Sequence, residues 1–210
     1  PIANDDFYST SEDTVLNVPA PGVLFNDSDV DDDTLVAVLV GDVSNGSLSL
    51  SGDGSFVYSP GENYSGVDVF TYVANDSFVD SNVATVTIVV GPANDPPVVS
   101  DIPDQVIDEG GSFASIVLDD YVSDVDNLDS ELTWSYSGNV NLSVVIDGSR
   151  IANVSTPGSD WFGSEVVVFN ATDPGGLGDE DSATFTVNAV NDAPVVSDIP
   201  DQVIDEGGSF

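Results

Sequence analysis

The sequence predicts an all-β chain built as tandem Greek-key β-sandwiches of about seven strands each. Three observations carry that expectation. Apolar residues alternate with polar ones at a period of two: Ala84, Val86, Ile88 and Val90 against Thr85 and Thr87, and Ala183, Phe185, Val187 and Ala189 against Thr184, Thr186 and Asn188. Clusters of Gly, Asn, Asp and Pro interrupt the chain about every 8–12 residues, and no stretch shows the 3.6-residue period of a helix. The chain also repeats itself. Residues 97–113 read PVVSDIPDQVIDEGGSF, and residues 194–210 read the same seventeen letters 97 positions later.

The same offset orders the elements. Ser59-Pro60-Gly61 through Tyr64-Ser65-Gly66-Val67-Asp68 corresponds to Thr156-Pro157-Gly158 through Trp161-Phe162-Gly163-Ser164-Glu165, and Ala74-Asn75-Asp76 to Ala171-Thr172-Asp173. Ser28-Asp29-Val30-Asp31 returns as Ser123-Asp124-Val125-Asp126, and an Asn-Asp pair opens each unit at Asn4-Asp5, Asn94-Asp95 and Asn191-Asp192. The units are therefore 1–93, 94–190 and the start of a third at 191–210, the last too short to bury a core of its own. The chain reads as a window from a longer array. In unit one, strand A is expected near 7–18, B near 35–41, C to E across 47–59, F near 67–74 and G near 83–90.

Composition removes whole classes of chemistry. The 210 residues hold 38 Asp plus Glu, a single basic side chain, and no His, Cys or Met, for a net charge of −37. Without His, Cys or Lys there is no Ser-His-Asp or Cys-His pair, no Schiff base and no zinc centre. Nucleic acid and anionic membrane surfaces repel such a chain, and this window contains no membrane-spanning run or export signal. The 40% apolar content with ten Phe, six Tyr and two Trp still suffices for packed cores.

Among the acids, Asp outnumbers Glu by 31 to 7. Short carboxylates crowded into loops suit a hard cation such as Ca²⁺, which gathers six to eight oxygens; a hydrated, salt-tolerant surface is the plainer reading. In a seven-stranded sandwich Asp29, Asp31 and Asp76 fall at one pole of unit one, and Glu12 and Asp68 at the other. If unit two is stacked beneath, Asp124, Asp126 and Asp173 face Glu12 and Asp68 across Asp95. Neighbouring carboxylates then repel by about 1 kcal/mol in water and about 4 kcal/mol at an effective dielectric near 20. No Lys relieves them, and Ca²⁺ at the junction would.

The Asn-Asp linkers, the Asp-x-Asp pairs, the Glu after strand A and the Ala-x-Asp ending strand F resemble the calcium-ligand set of cadherin repeats. The runs Gly54-Ser-Phe-Val-Tyr-Ser-Pro60 and Tyr64-Ser-Gly-Val-Asp-Val-Phe-Thr-Tyr72 resemble the bacterial and archaeal cadherin-like and Ig-like tandem repeats of giant surface proteins. Unit two lacks the Phe-x-Tyr-x-Pro run, and the Asp-Arg-Glu motif of vertebrate members is absent. The resemblance implies a non-enzymatic, extracellular or cell-surface adhesin or fibre segment, self-associating or flanked by further repeats, with Ca²⁺ between repeats stiffening the rod. It assigns metal-ligand roles to Asp5, Asn94, Asp95 and Asp192 in the linkers, Asp29, Asp31, Asp124 and Asp126 in the loops, Glu12 and Glu109 after the first strands, Asp76 and Asp173 after strand F, and Asp68 and Glu165 at the E–F corner.

Other motifs carry less. Asp27-Ser-Asp29-Val-Asp31 begins like an EF-hand, but the required Gly and Glu are Asp32 and Val38. Gly175-Gly-Leu-Gly-Asp179 is one Gly-rich turn rather than a β-roll. Paired carboxylates serve glycoside hydrolysis, yet here they lie in loops with no cleft implied. Trp134 and Trp161 fit a core better than a sugar-stacking platform. Seven Asn-x-Ser/Thr sequons occur where composition predicts about three, and Asn45, Asn63, Asn141, Asn153 and Asn170 are the candidate glycan sites. Two alternatives remain open: a module that binds a cell-surface glycan or protein, and a fibre subunit that lends residues 194–210 as a strand to a neighbouring chain.

Overall fold

The computed structural model describes residues 1–31, 33–201, 203, 204 and 206, so Asp32 and most of the final hexapeptide of the expected third repeat lie outside the described residues. The chain forms two compact units, Pro1–Asp95 and Pro96–Phe210.

Unit 1 has seven strands: β1 (Asp6–Ser11), β2 (Leu16–Val18), β3 (Val36–Gly41), β4 (Gly46–Leu50), β5 (Phe56–Pro60), β6 (Gly66–Asn75) and β7 (Ala84–Gly91). They make a four-stranded sheet in the order β1-β7-β6-β3 and a three-stranded sheet in the order β2-β5-β4. Strand β1 runs parallel to β7, with Asp6 opposite Val86 and Ser11 opposite Gly91; the other pairings are antiparallel. The inward positions of the alternating runs (Phe70, Tyr72 and Ala74 on β6; Val86, Ile88 and Val90 on β7) meet Phe56 and Tyr58 from the opposite sheet. Phe56 sits edge-on to Phe70, ring centroids 5.4 Å apart, and Tyr8 edge-on to Phe56 at 5.0 Å.

One strand expectation needs correction. The run 7–18 is two strands, because Glu12 and Asp13 turn the chain between them: Asp13 has φ 55°, and Thr14 N–H donates to Ser11 O. That turn sends β1 to one sheet and β2 to the other. The strand near 35–41 is consequently the third, and 47–59 holds two strands rather than three. The total of seven stands.

Unit 2 repeats the plan with β8 (Val98–Val99), β9 (Gln105–Asp108), β10 (Ile116–Val117), β11 (Val122–Ser123), β12 (Thr133–Ser137), β13 (Ser143–Ile146), β14 (Ile151–Ser155), β15 (Gly163–Thr172) and β16 (Gly178–Asn188). Its main sheets run β12-β15-β16-β9 and β10-β14-β13, with β8 and β11 forming an added two-stranded rung. Phe169, Phe185, Val167 and Leu142 fill its core, and Phe113 lies edge-on to Phe185 at 5.1 Å. Trp134 and Trp161 are half-buried against that core, as expected for packing residues. The β13–β14 turn holds Arg150 at φ 60°, and its guanidinium grips Asp119 through two hydrogen bonds of 2.6 Å.

The E–F corner shows why the matched Tyr-x-Gly and Trp-x-Gly segments recur. Gly66 (φ 151°) and Gly163 (φ 154°) open β6 and β15, and a Cβ there would lie 3.0 Å from Tyr64 Oη or 3.1 Å from the Trp161 ring. The aromatic folds over its glycine, and Tyr64 Oη donates to Val67 O at 2.9 Å. Only glycine leaves that room.

Candidate functional site

The acidic loops of the two units are built alike from local hydrogen bonds. In unit 1, Asp29 Oδ1 accepts from Asp31 N at 2.8 Å and Asp33 N at 3.4 Å. In unit 2, Asp124 Oδ1 accepts from Asp126 N at 2.8 Å and Asn127 N at 2.9 Å. The Asp-x-Asp motif thus spends one oxygen of its first Asp on folding the loop. Asp124 Oδ2 and Asn127 Oδ1 are buried, and neither has a hydrogen-bond donor. Two acceptor oxygens shut away from water without donors cost about 1–3 kcal/mol each. Asn127 is a site residue that sequence reasoning missed; its signal was a third oxygen-bearing side chain after Asp-x-Asp, matched in unit 1 by Asp32.

Asp76 and Asp173 occupy equivalent loops after β6 and β15. Asp76 Oδ1 accepts from Phe78 N and Val79 N, both at 2.8 Å, which hold its carboxyl below the usual range. Asp173 is buried, and its Oδ1 accepts from Leu177 N at 2.9 Å.

Glu12 and Glu109 share one role across the repeat. Glu12 Oε1 accepts from Ala93 N at 2.6 Å, and Glu109 Oε2 from Val190 N at 2.6 Å. Each closes the turn after β1 or β9 onto the segment leaving the last strand of its unit. Asp68 and Glu165 are likewise a pair. Asp68, 2% exposed, receives Ser44 N (3.0 Å), Asn45 N (2.9 Å), Val69 N (3.0 Å) and Tyr58 Oη (3.0 Å). Glu165 receives Val140 N, Asn141 N, Asn141 Nδ2 and Leu142 N at 2.7–3.1 Å. Burial pushes both carboxyls up, and these donors outweigh it, leaving each below its usual value. Both side chains anchor the loop ahead of β4 or β13.

The Asn-Asp pairs do not occupy equivalent places. Ile2 bridges Ser28 in unit 1, as Val98 pairs with Ser123 in unit 2. Asn4-Asp5 follows its rung, whereas Asn94-Asp95 precedes its own. Asn4 N donates to Asp27 Oδ1 at 2.8 Å, and Asp5 Oδ1 accepts from Thr85 N at 2.8 Å. In unit 2 that stitching passes to Asp179, Asp181 and Asp104, which take Val99 N, Ile102 N and Thr184 N at 2.6–2.8 Å. Asn94 and Asn191 each turn their Nδ2 to the carbonyl of the following Asp, Asp95 and Asp192, at 3.4 and 3.3 Å.

A second acceptor-rich place escaped the sequence. The single hydroxyl proton of Tyr72 is shared among Val23 O (2.7 Å), Asp27 Oδ2 (2.9 Å), Asp6 Oδ2 (3.3 Å) and Asn4 O (3.3 Å). Burial, with the Asp27 and Asp5 charges nearby, pushes the Asp6 carboxyl up to about 6. Burial likewise raises Asp27, and Tyr72 lies well above the usual phenol range.

Among the described residues no group of three carboxylates stands close enough to hold a metal ion by itself. The side-chain oxygens of these loops are carboxylates and the Asn127 amide, hard donors of the kind Ca²⁺ takes.

The candidate glycan positions are unequal. Asn45 and Asn63 are exposed at turns, whereas Asn141 Nδ2 donates to Glu165 at 2.7 Å. Asn153 Oδ1 accepts from Ser115 Oγ at 2.6 Å, and half-buried Asn170 accepts from Thr172 Oγ1 at 2.9 Å.

This architecture is that of cadherin-type β-sandwiches. Residues 1–92 match the model of the bacterial cadherin-like domain, so the likeness read from the sequence holds over the first unit. The chain superposes on human protocadherin-24 EC1-2 with TM-score 0.54 at 15% identity, covering 87% of this chain and 95% of that one. Human mucin-like protocadherin EC1-2 gives 0.52 at 14% identity, covering 90% and 97%. Human CDH23 EC21-23 gives 0.51 at 14% identity, covering 90% and 70%. The chain spans 28% of an endo-fucoidan hydrolase of glycoside hydrolase family 107, at 16% identity and TM-score 0.37 over 90% of this chain, and 48% of protocadherin gammaB7 EC3-6. No curated protein matches it. The match over residues 1–92 points to an adhesion or extracellular repeat module. No helix of the described residues is long and apolar enough to cross a membrane.

Proposed function

We propose that the chain is a structural segment of an extracellular adhesin or surface fibre whose repeats are stabilised by Ca²⁺ at their acidic loops. The observation that carries this reading is the pair of buried, donor-less oxygens, Asp124 Oδ2 and Asn127 Oδ1. The one basic side chain among 38 carboxylates is committed to Asp119, and no backbone or side-chain donor reaches these two oxygens. A divalent cation does.

The ligand set of this reading comprises Asp124, Asp126, Asn127 and Asp173 in unit 2, with Asp29, Asp31 and Asp76 as counterparts in unit 1. Asn94, Asp95 and Asp192 in the connecting segments, and the second oxygens of Glu12 and Glu109 in the turns after β1 and β9, are the remaining candidate ligands of this reading. Asp68 and Glu165 stay outside because protein donors fill their lone pairs, and Asp5 because its register differs from that of Asp95. Residues 191–210 begin a further repeat in this reading, and exposed Asn45 and Asn63 are its foremost glycan acceptors.

Bound Ca²⁺ stabilises the folded form only, by about 2.7 kcal/mol at a hundredfold excess over Kd. Calorimetric titration of the EDTA-stripped chain is expected to show Ca²⁺ uptake and a rise in melting temperature. Asp124→Ala should remove uptake in unit 2. Equal melting with Ca²⁺ and with EDTA, and no heat on titration at millimolar Ca²⁺, would sink the proposal.

A further inference from the structure

The strands of unit 1 contain just two carboxylates, Asp6 and Asp68, and both point into the sandwich. Its outer sheet faces are therefore free of acid in a chain of net charge −37. The two faces differ in kind. Outward from the three-stranded sheet stand Asn17, Ser47 and Ser49 around a single apolar residue, Val57. Outward from the four-stranded sheet stand Phe7, Val38, Val67, Val69 and Val89, around Thr87. The register sets Phe7, Thr87 and Val69 in one row across β1, β7 and β6, with Val89 beside Val67 in the next. Phe7 is 77% exposed and Val67 58%.

We propose that this face is a self-association surface: the four-stranded sheet of unit 1 packs against the same face of a second copy of the chain. Two such copies repel wherever their loops approach, because carboxylates meet carboxylates. A neutral sheet face lets them come together, and of the two faces only this one offers contiguous apolar area. A basic protein partner would instead be drawn to the acidic loops.

The area sets the strength. Four strands about 4.8 Å apart and six residues long at about 3.4 Å each give about 400 Å² per copy. A stable pair buries about 800 Å² per partner. One face thus gives a weak contact, suited to repetition along an array, where avidity multiplies it. Unit 2 differs: Val166, Val168, Thr184 and Thr186 line the outer side of its central strands, but exposed Glu180 on β16 and Asp108 on β9 stand on that side too.

The proposal goes beyond the calcium reading and does not rest on it, so sedimentation velocity is run on the 210-residue chain both in EDTA and in Ca²⁺. The weight-average mass should climb from 21.7 kDa with concentration, and more steeply as NaCl rises from about 0.05 to about 1 M, because salt screens the repulsion. The double variant Phe7→Ser/Val69→Thr keeps a neutral, strand-compatible face and should raise the dissociation constant at least about tenfold. The chain has no cysteine, so Thr87→Cys should form disulfide dimers on oxidation while Ser49→Cys, on the other face, stays monomeric. A constant monomer mass in high salt, association that salt weakens, or equal cross-linking at Ser49→Cys each overturns the proposal. Loss of the calcium effect with association intact would remove the other reading and leave this one standing.

Discussion

Donors either outweigh the burial of a carboxylate inside a β-sandwich or fall short of it, and Asp68 and Asp6 show one case each. Asp68 gathers four donors and sits below the usual carboxylate range. Asp68→Ala leaves those donors without an acceptor and should cost unit 1 about 3 kcal/mol in urea unfolding. Because its folded-state value is lowered, the stability it contributes is present above about pH 4 and is lost as pH falls through that lowered value. Glu165 should behave likewise in unit 2. Asp6 has the opposite sign. Its value is raised to about 6, so its contribution is favourable below about pH 4 and lost as pH rises through 6. Asp6→Asn should therefore raise the melting temperature of unit 1 at pH 7 and flatten its dependence between pH 4 and 6; an unchanged melting profile would refute this reading. Neither role was legible in the sequence, since a buried and an exposed Asp are the same letter and only tertiary packing separates them. Glu12 was legible only as a repeated position, because Glu109 recurs at the repeat offset; that it accepts from Ala93 N was not.

At the level of strands and turns, legibility followed length. Strands β6, β7, β15 and β16 run for 8–11 residues, long enough to show a period of two. Strands β2, β8, β10 and β11 have two or three residues, too few to show any period, and their pairing comes from the sheet around them. The split of 7–18 was hidden for the same reason: a turn of Glu12 and Asp13 interrupts no obvious apolar pattern. The E–F corner was readable as a repeated segment, while its physical cause, an aromatic lying on a glycine, needed coordinates. Gly163→Ala should accordingly destabilise unit 2 by about 2 kcal/mol, because its Cβ meets the Trp161 ring. Gly148→Ala, with nothing within 4 Å of the added carbon, should shift the denaturation midpoint far less.

For the molecule as a whole, charge and modularity govern behaviour. The separation into Pro1–Asp95 and Pro96–Phe210 leads us to expect residues 1–95 to fold alone, with a cooperative melt and dispersed amide resonances. In EDTA, NaCl should raise the melting temperature of the full chain, because like charges spread over the loops are relieved by screening. A melting temperature independent of salt from about 0.01 to about 1 M would mean that the loops' own hydrogen bonds already neutralise the repulsion. The sequence displayed the repeat and the imbalance of charge directly. It did not display that the acids are swept off the outer sheet faces of unit 1, because that depends on which strand residues point inward.

The clasp between Arg150 and Asp119 has a consequence for resistance to proteolysis. Digestive enzymes that cut after basic residues find a single address in these 210 residues. That address sits in a tight left-handed turn with its guanidinium pinned by two short bonds, while productive cleavage needs an extended, yielding segment. Trypsin should leave the folded chain whole and cut it once when it unfolds, which turns one arginine into a built-in reporter of unit 2's integrity.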